Sequence, residues 1–442
     1  MTGSKRIFDI VIEGGTTLTM AEGKDPLPNG RVYISGDRIE HVSDRENGPV
    51  PEANVVIHAE DAIILPGLVN AHGHSPMTIF RGLADDLPLK TWLFDHMFPA
   101  EAKYLNPDSV YWGCLLACLE MIASGTTTAV DSYFFADDIV RAVDKAGMRA
   151  LVAQGVIDFP APGVPDPEKN LDVGLSFLKR WIDFSDRIRP GLFCHSPLTC
   201  SDTTLRRAHE ISNEFGVPLQ IHLSETRDEP EEMVKKTHLR PAFYLDELGF
   251  LGSTLIAAHA VHLNDEELEL LAQREVKIAH CPESNMKLGS GISKVATMIA
   301  KGMTVGLGTD SCASNNNLDL LGEMDTAAKL AKVSSLDPTL LDAETVMRMA
   351  TMGGAQLIGL EHMIGSIEKG KKADIAIVST NAPHMTPMYN PYSQIVYSAT
   401  GGDVRDVIID GRIVYRNSRF TALDTDEIMD KVQGIGQGIS SD

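Results

Sequence analysis

Histidine recurs at the ends of short apolar runs in this 442-residue chain. His72 and His74 close Leu68-Val69-Asn70-Ala71-His72-Gly73-His74. His195, His222, His259 and His280 close later runs, and Asp310 follows Gly306-Leu307-Gly308-Thr309. Residues i and i+2 of a strand point to the same face, so His72 and His74 can reach one ion. Glu225 stands three residues past His222. A single strand-end histidine is more often a hydrogen-bonded core residue than a ligand, and a lone His-x-His is weak. Five strand ends bearing His and a sixth bearing Asp form a pattern that chance rarely supplies. Imidazoles with a carboxylate suit zinc, or Fe2+ or another divalent metal. His41, His58, His96, His209, His238, His362 and His384 fall off the pattern and read as surface or packing residues. His262 reads as structural, and His280 as a wall of the pocket.

Elements must bring these groups together. Eight short runs alternate with helical patterns: Ile64–His72, Thr127–Ser132, Ala150–Ile157, Gly191–His195, Leu219–Leu223, Leu255–His259, Val276–His280 and Thr304–Thr309. Each is apolar enough for a strand buried on both sides. Helix starts are read at Asp108-Ser109, Ser201-Asp202 and Asn264-Asp265, and stops at Gly125, Gly216 and Gly302. Eight β/α units over about 300 residues predict an α/β fold, a (β/α)8 TIM-type barrel, with a doubly wound sheet as the alternative. Such barrels draw their catalytic groups from the C-terminal strand ends, where the histidines lie.

The two ends of the chain differ from this middle. Val32–Ile34 and Ile39–Val42 flank Gly36-Asp37, and Val407–Ile409 and Arg412–Tyr415 flank Asp410-Gly411, both hairpin signals. Neither end holds enough apolar residues for a core alone, so residues 1–63 and 373–442 are expected to form one small β-sandwich around a barrel of residues 64–372. The tail from Asp424 reads as a peripheral helix or a disordered segment.

Composition removes other classes. A formal net charge of −22 argues against nucleic acid and anionic membrane partners, which need clustered Lys and Arg. The longest apolar stretch, Val110–Val130, is broken by Glu120 and Gly125 and reads as a buried helix leading into a strand. Met1–Arg6 is short and polar, so no leader is read there, and a cytoplasmic protein is expected. The six cysteines form no CxxC pair, which points to reduced thiols rather than a zinc ribbon.

Longer strings carry a resemblance. Leu65-Pro66-Gly67-Leu68-Val69-Asn70-Ala71-His72-Gly73-His74, His222-Leu223-Ser224-Glu225, His259-Ala260-Val261-His262-Leu263 and Gly308-Thr309-Asp310-Ser311-Cys312-Ala313-Ser314-Asn315-Asn316 are similar to strand-end motifs of the amidohydrolase superfamily. Gly354-Ala355-Gln356 and the run Gly365–Asp374 resemble the exit from its barrel. Nearly the whole chain is covered, and within the superfamily it looks most like the 5-methylthioadenosine/S-adenosylhomocysteine deaminases. The resemblance implies a metal held by His72, His74, His222 and Asp310, and substrate contacts from Glu101, His195, Glu225 and Asp310. The fourth run, Phe193-Cys194-His195, lacks the Lys that two-metal members commonly carry, so one zinc per chain is expected. His58-Ala59-Glu60 matches part of another zinc-deaminase signature, but its P-C-x-x-C partner is absent.

The expected reaction is hydrolytic deamination of an adenine nucleoside. Asp310 takes the proton of the attacking water, Glu225 protonates a ring nitrogen, and His259 hydrogen-bonds the water and the developing oxyanion. Glu101 is implied to accept ribose hydroxyls. The same machinery on a guanine, pterin or triazine ring is the alternative; a non-enzymatic scaffold is disfavoured because all four ligand positions are kept. A homo-oligomer is left open. The loop Asp158–Asn170 has no Arg to pair with the carboxylate of adenosylhomocysteine, and its prolines and Phe159 are expected to meet an apolar 5′ group.

Overall fold

The computed structural model describes residues 7–43 and 52–441; the Met1–Arg6 stretch lies outside them. Eight parallel strands, Leu68–Gly73, Thr126–Tyr133, Arg149–Val156, Ile188–Cys194, Leu219–Leu223, Leu255–His259, Lys277–His280 and Val305–Leu307, pair in sequence order. The eighth returns to the first: Gly73 and Asp310 form a parallel bridge, and Asp310 N donates to His72 O at 3.0 Å. Gly308 permits this closure, because a Cβ there would stand 2.7 Å from His72 N. Asn70 locks the seam, donating to Thr309 Oγ1 at 2.8 Å and accepting from Thr309 N at 3.1 Å. Most strand residues are buried, as expected of a parallel sheet covered on both faces.

The chain ends knit into two further sheets. Phe8–Glu13, Arg31–Ser35, Arg38–Ser43 and Ala53–His58 form one of them. The other joins N-terminal Ala62–Pro66 antiparallel to C-terminal Ile375–Ser379, followed by the hairpin Val404–Ile409 and Arg412–Arg416. Asp410 and Gly411 both take positive φ, 51° and 72°, in the hairpin turn. Ile10, Ile12, Ile34, Ile64, Ile375, Ile377 and Ile408 fill the space between the sheets. Beneath the barrel, Lys372 Nζ reaches Asp37 at 2.5 Å, Asp186 at 2.5 Å and Asp410 at 3.0 Å. Arg149, fully buried, pairs with Asp374 at 2.8 Å. The three aspartates around Lys372 thus converge on its ammonium, and Asp410 also meets Arg149 at 3.1 Å.

Two details differ from the sequence reading, and the tail takes one of its two expected forms. The first apolar run is split: Ala62–Pro66 belongs to a sandwich sheet, and the barrel strand starts at Leu68 after Gly67, whose N–H is taken by Asp374 O at 2.9 Å. The helix Pro107–Ala123 is capped by Asn106, not by Asp108-Ser109. Asn106 Oδ1 accepts from Asp108 N and Ser109 N at 3.0 and 3.1 Å, and Pro107 takes the first helical position, where no N–H is needed. The tail is a helix, Thr425–Ser440, that buries Ile428, Val432 and Ile439 in the main core.

Helix Asp265–Gln273 carries a complete capping box, with Glu267 N on Asn264 Oδ1 at 2.8 Å and Asn264 N on Glu267 Oε2 at 3.0 Å. Asn264→Ala should lower stability by about 1 kcal/mol. A downward shift of the urea midpoint at unchanged kcat checks this; an unmoved midpoint would contradict the capping role.

Candidate active site

The first barrel strand delivers His72 and His74 on one face, the fifth His222, the sixth His259, and the seam with the eighth Asp310. His74 Nε2 and His72 Nε2 lie 3.3 and 3.6 Å from Asp310 Oδ1, and His222 Nε2 lies 3.3 Å from His72 Nε2. The donor atoms form two overlapping groups, His72–His74–Asp310 and His72–His222–His259, each within 4.8 Å and sharing His72.

The donor atoms of this cluster are of the kind that hold a cation. His74 Nδ1 lies 2.5 Å from the Ser132 carbonyl, which only accepts, so Nδ1 carries a proton and Nε2 is the nitrogen that faces Asp310. Burial, reinforced by neighbouring imidazoles, drives His72 and His222 well below the ordinary histidine range, so both are neutral ligand-type rings. Burial also presses on His74, but the hydrogen bond and charge of Asp310 outweigh it and raise His74. Burial would raise Asp310, yet His74, His259 and His72 hold it well below the carboxylate range. Lone pairs and a carboxylate facing one another at these distances need a proton or a metal ion between them. Three imidazoles and a carboxylate fit a divalent transition metal.

Around the cluster, supports fix each group. Asp310 Oδ2 accepts from Ser284 Oγ at 2.6 Å and Ser314 Oγ at 2.7 Å, leaving Oδ1 for the histidine side. His259 Nδ1 lies 3.0 Å from Asn285 Oδ1, and its Nε2 3.7 Å from Glu225 Oε2. His195 Nδ1 meets Thr199 Oγ1 at 2.9 Å, and burial lowers His195 to about 4, a neutral ring. Ser224, His259, Ala260 and Asp310 all take positive φ, 49°, 70°, 49° and 60°, where non-glycine residues are uncommon and strain gathers at functional sites.

A cavity lined by both polar and apolar side chains opens over the cluster. His74, His195, His222, Glu225, His259 and Asp310 reach it, and so does Glu101 from the helix Phe98–Tyr104. Met77, Leu89, Trp92, Leu93, Phe98 and Leu288 supply apolar walls. Glu101 is 5% exposed and accepts from Tyr133 Oη at 2.5 Å; burial pushes its carboxyl up to about 7 against that hydrogen bond. Burial also raises Glu225, opposed by His259.

Two expectations are corrected. His280 does not line the cavity; it is buried, and burial lowers it to about 3. The loop Asp158–Asn170 does not line it either: Phe159 packs behind Phe98, ring centroids 5.4 Å apart. Sequence reasoning missed Tyr133, Ser284, Asn285 and Thr199. They carry no metal-ligand signature, and only contact with Glu101, Asp310, His259 and His195 reveals them.

A parallel barrel whose strand ends gather imidazoles, one aspartate and a buried glutamate in a single cavity is the framework of a hydrolytic metalloenzyme. Comparison with known proteins narrows that class. The Amidohydrolase family profile matches residues 63–414, and the chain belongs to the amidohydrolase family. It is 45% identical over 438 residues to the 5-methylthioadenosine/S-adenosylhomocysteine deaminase of Syntrophobacter fumaroxidans, covering 99% of each chain. It is 46% identical over 409 residues to the 5'-deoxyadenosine deaminase of Methanothermobacter thermautotrophicus, covering 91% of this chain and 93% of that one. The solved structure of an adenosine deaminase from Xanthomonas campestris, with bound zinc, superposes with a TM-score of 0.96 at 35% identity, over 99% of this chain and 100% of that one. Among the described residues, no helix is long and apolar enough to cross a membrane.

Proposed function

We propose that this chain hydrolyses the 6-amino group of an adenine nucleoside, methylthioadenosine, adenosylhomocysteine or adenosine, giving the inosine analogue and ammonia, with one zinc per chain held by His72, His74, His222 and Asp310. The observation that carries this reading is the placement of the His–Asp cluster, the buried Glu225 and the buried Glu101 in one cavity. The ion supplies Lewis acidity that makes water a competent nucleophile at neutral pH.

The side chains divide the remaining work. Asp310 receives a proton from the attacking water, with Ser284 and Ser314 holding its carboxylate in place. Water oxygen bonds to C6 of the ring while Glu225 gives a proton to N1, so the negative charge of addition is quenched as it forms. His259, its ring fixed by Asn285, hydrogen-bonds the oxygen as it becomes an oxyanion. Return of a proton to the amine breaks the C–N bond and releases ammonia. Tyr133 occupies one oxygen of Glu101, and the remaining lone pairs accept from ribose hydroxyls. His195, neutral and ordered by Thr199, contacts the substrate rather than the ion.

The apolar walls bear on substrate choice. No Lys or Arg lines the cavity among the described residues. Arg81 is engaged by Glu120 and by Asn316 O, and Lys169 faces Asp172 at 3.7 Å. The amino-acid carboxylate of adenosylhomocysteine therefore lacks a cationic partner, whereas a methylthio or methyl group fits against Met77, Trp92 and Phe98. Methylthioadenosine and adenosine should show kcat/KM about tenfold above adenosylhomocysteine, about 1.4 kcal/mol. Ammonia release from these nucleosides and from guanine, measured side by side, tests both statements. A preference for adenosylhomocysteine would refute the 5′-group argument, and one for guanine the nucleoside reading.

A further inference from the structure

Glu229 is a buried carboxylate that the scheme above leaves unused. It sits in the first turn of the helix Asp228–Thr237. Its oxygens each take one backbone N–H, Oε1 from Ser224 at 2.8 Å and Oε2 from Glu225 at 2.8 Å. An ionised carboxylate is acceptor-only and can bridge two donors. Successive N–H groups converge on one anion where the backbone between them turns. Ser224 supplies that turn with its positive φ of 49°, a conformation that persists only when the surroundings impose it. The Ser224 carbonyl in turn accepts from Val261 N at 3.1 Å and His262 N at 2.8 Å. The segment bearing Glu225 is thus tied to the one that follows His259, and Glu225 Oε2 stands 3.7 Å from His259 Nε2. Burial pushes Glu229 up to about 7, and the two N–H groups oppose that rise. The backbone clamp is what favours its ionised, doubly accepting form.

We infer that Glu229 is a positioning residue for Glu225, holding the Ser224-Glu225 backbone so that the Glu225 carboxyl meets the ring nitrogen of the substrate. The inference rests on the proposed role of Glu225 as proton carrier.

A double-mutant cycle tests it. Glu229→Gln keeps the size but turns an NH2 toward one of the two N–H donors. On methylthioadenosine kcat should fall between about 10-fold and about 10²-fold, the scale of a misplaced catalytic group. KM and metal content should stay as in the parent enzyme. In a Glu225→Gln background the same change should alter kcat by less than about twofold, because its effect passes through a carboxyl already removed. A fully additive loss, or a loss of metal or a rise in KM in place of the kcat effect, would overturn the inference. If Glu229→Gln does not fold, Glu229→Asp enters the same cycle. It keeps the charge one methylene short and should give a smaller kcat loss at unchanged KM, again absent beside Glu225→Gln. Intact kcat in Glu225→Gln alone would remove the underlying role of Glu225. A crippled Glu225→Gln with parent-like Glu229 variants would remove this inference only.

Discussion

Exhaustive chelation of the purified protein should abolish deamination, and one equivalent of zinc per chain should restore it. The His74 Nδ1 proton is committed to the Ser132 carbonyl at 2.5 Å, so Nε2 is the nitrogen that faces a carboxylate oxygen, at 3.3 Å. His72 and His222 are neutral rings whose Nε2 atoms approach to 3.3 Å. Lone pairs and a carboxylate oxygen at these distances repel one another unless a positive charge lies among them, which a divalent ion would supply. Without the ion, the water would keep its ordinary, far weaker acidity, so the rate should drop by at least about 10³-fold. Elemental analysis of protein purified without added metal should give one ion per chain, since the fourth strand ends Phe193-Cys194-His195 and offers no Lys to bridge a second. Two tightly held ions, or activity that survives chelation, would refute the assignment.

Most of this architecture was legible because buried parallel strands leave a strong mark. Leu219–Leu223 and Leu255–His259 were read with the bounds the structure gives them, since short apolar runs between capped helices have few other fates. The ligand-type residues were legible for a related reason: barrel strands end at one face, so a histidine at a strand end is already placed. What stayed hidden depends on contacts between segments distant in the chain. The run through Ile64 looked continuous because Pro66-Gly67 passes the chain from a sandwich sheet to the barrel without losing apolarity. His280 has the strand-end signature, yet it is buried outside the cavity; periodicity carries the direction of a side chain but not its depth. The loop Asp158–Asn170 follows the third strand, and its place in the sequence alone suggests a wall of the cavity. The structure interposes Phe98, from the long segment after the first strand, between the loop and the cavity. Tyr133 and Ser284 belong to residue types too common to stand out before Glu101 and Asp310 are seen beside them.

Glu225→Gln should keep the metal and lose at least about 10²-fold in kcat. The substitution preserves size and one acceptor oxygen but removes the proton that travels. Adding water to C6 of a purine places negative charge on N1, and a group that delivers a proton there as the C–O bond forms removes most of that cost. Such a donor must hold a proton near neutral pH yet give it up readily, which an ordinary solvated glutamate does poorly. Burial raises the Glu225 carboxyl above the ordinary glutamate value, while His259, with Nε2 3.7 Å from Oε2, restrains the rise. The proton that Asp310 took from water then goes to the leaving amine, and the C6 hydroxyl proton returns to Glu225, which shares the cavity with Asp310 and restores its own charge state for the next turnover. KM should change little, because the ring contact is preserved and only proton transfer is lost. Metal content and kcat measured together on the purified variant decide the matter. If Glu225→Gln loses its metal and regains the parent rate once remetallated, Glu225 is a ligand and not a proton carrier.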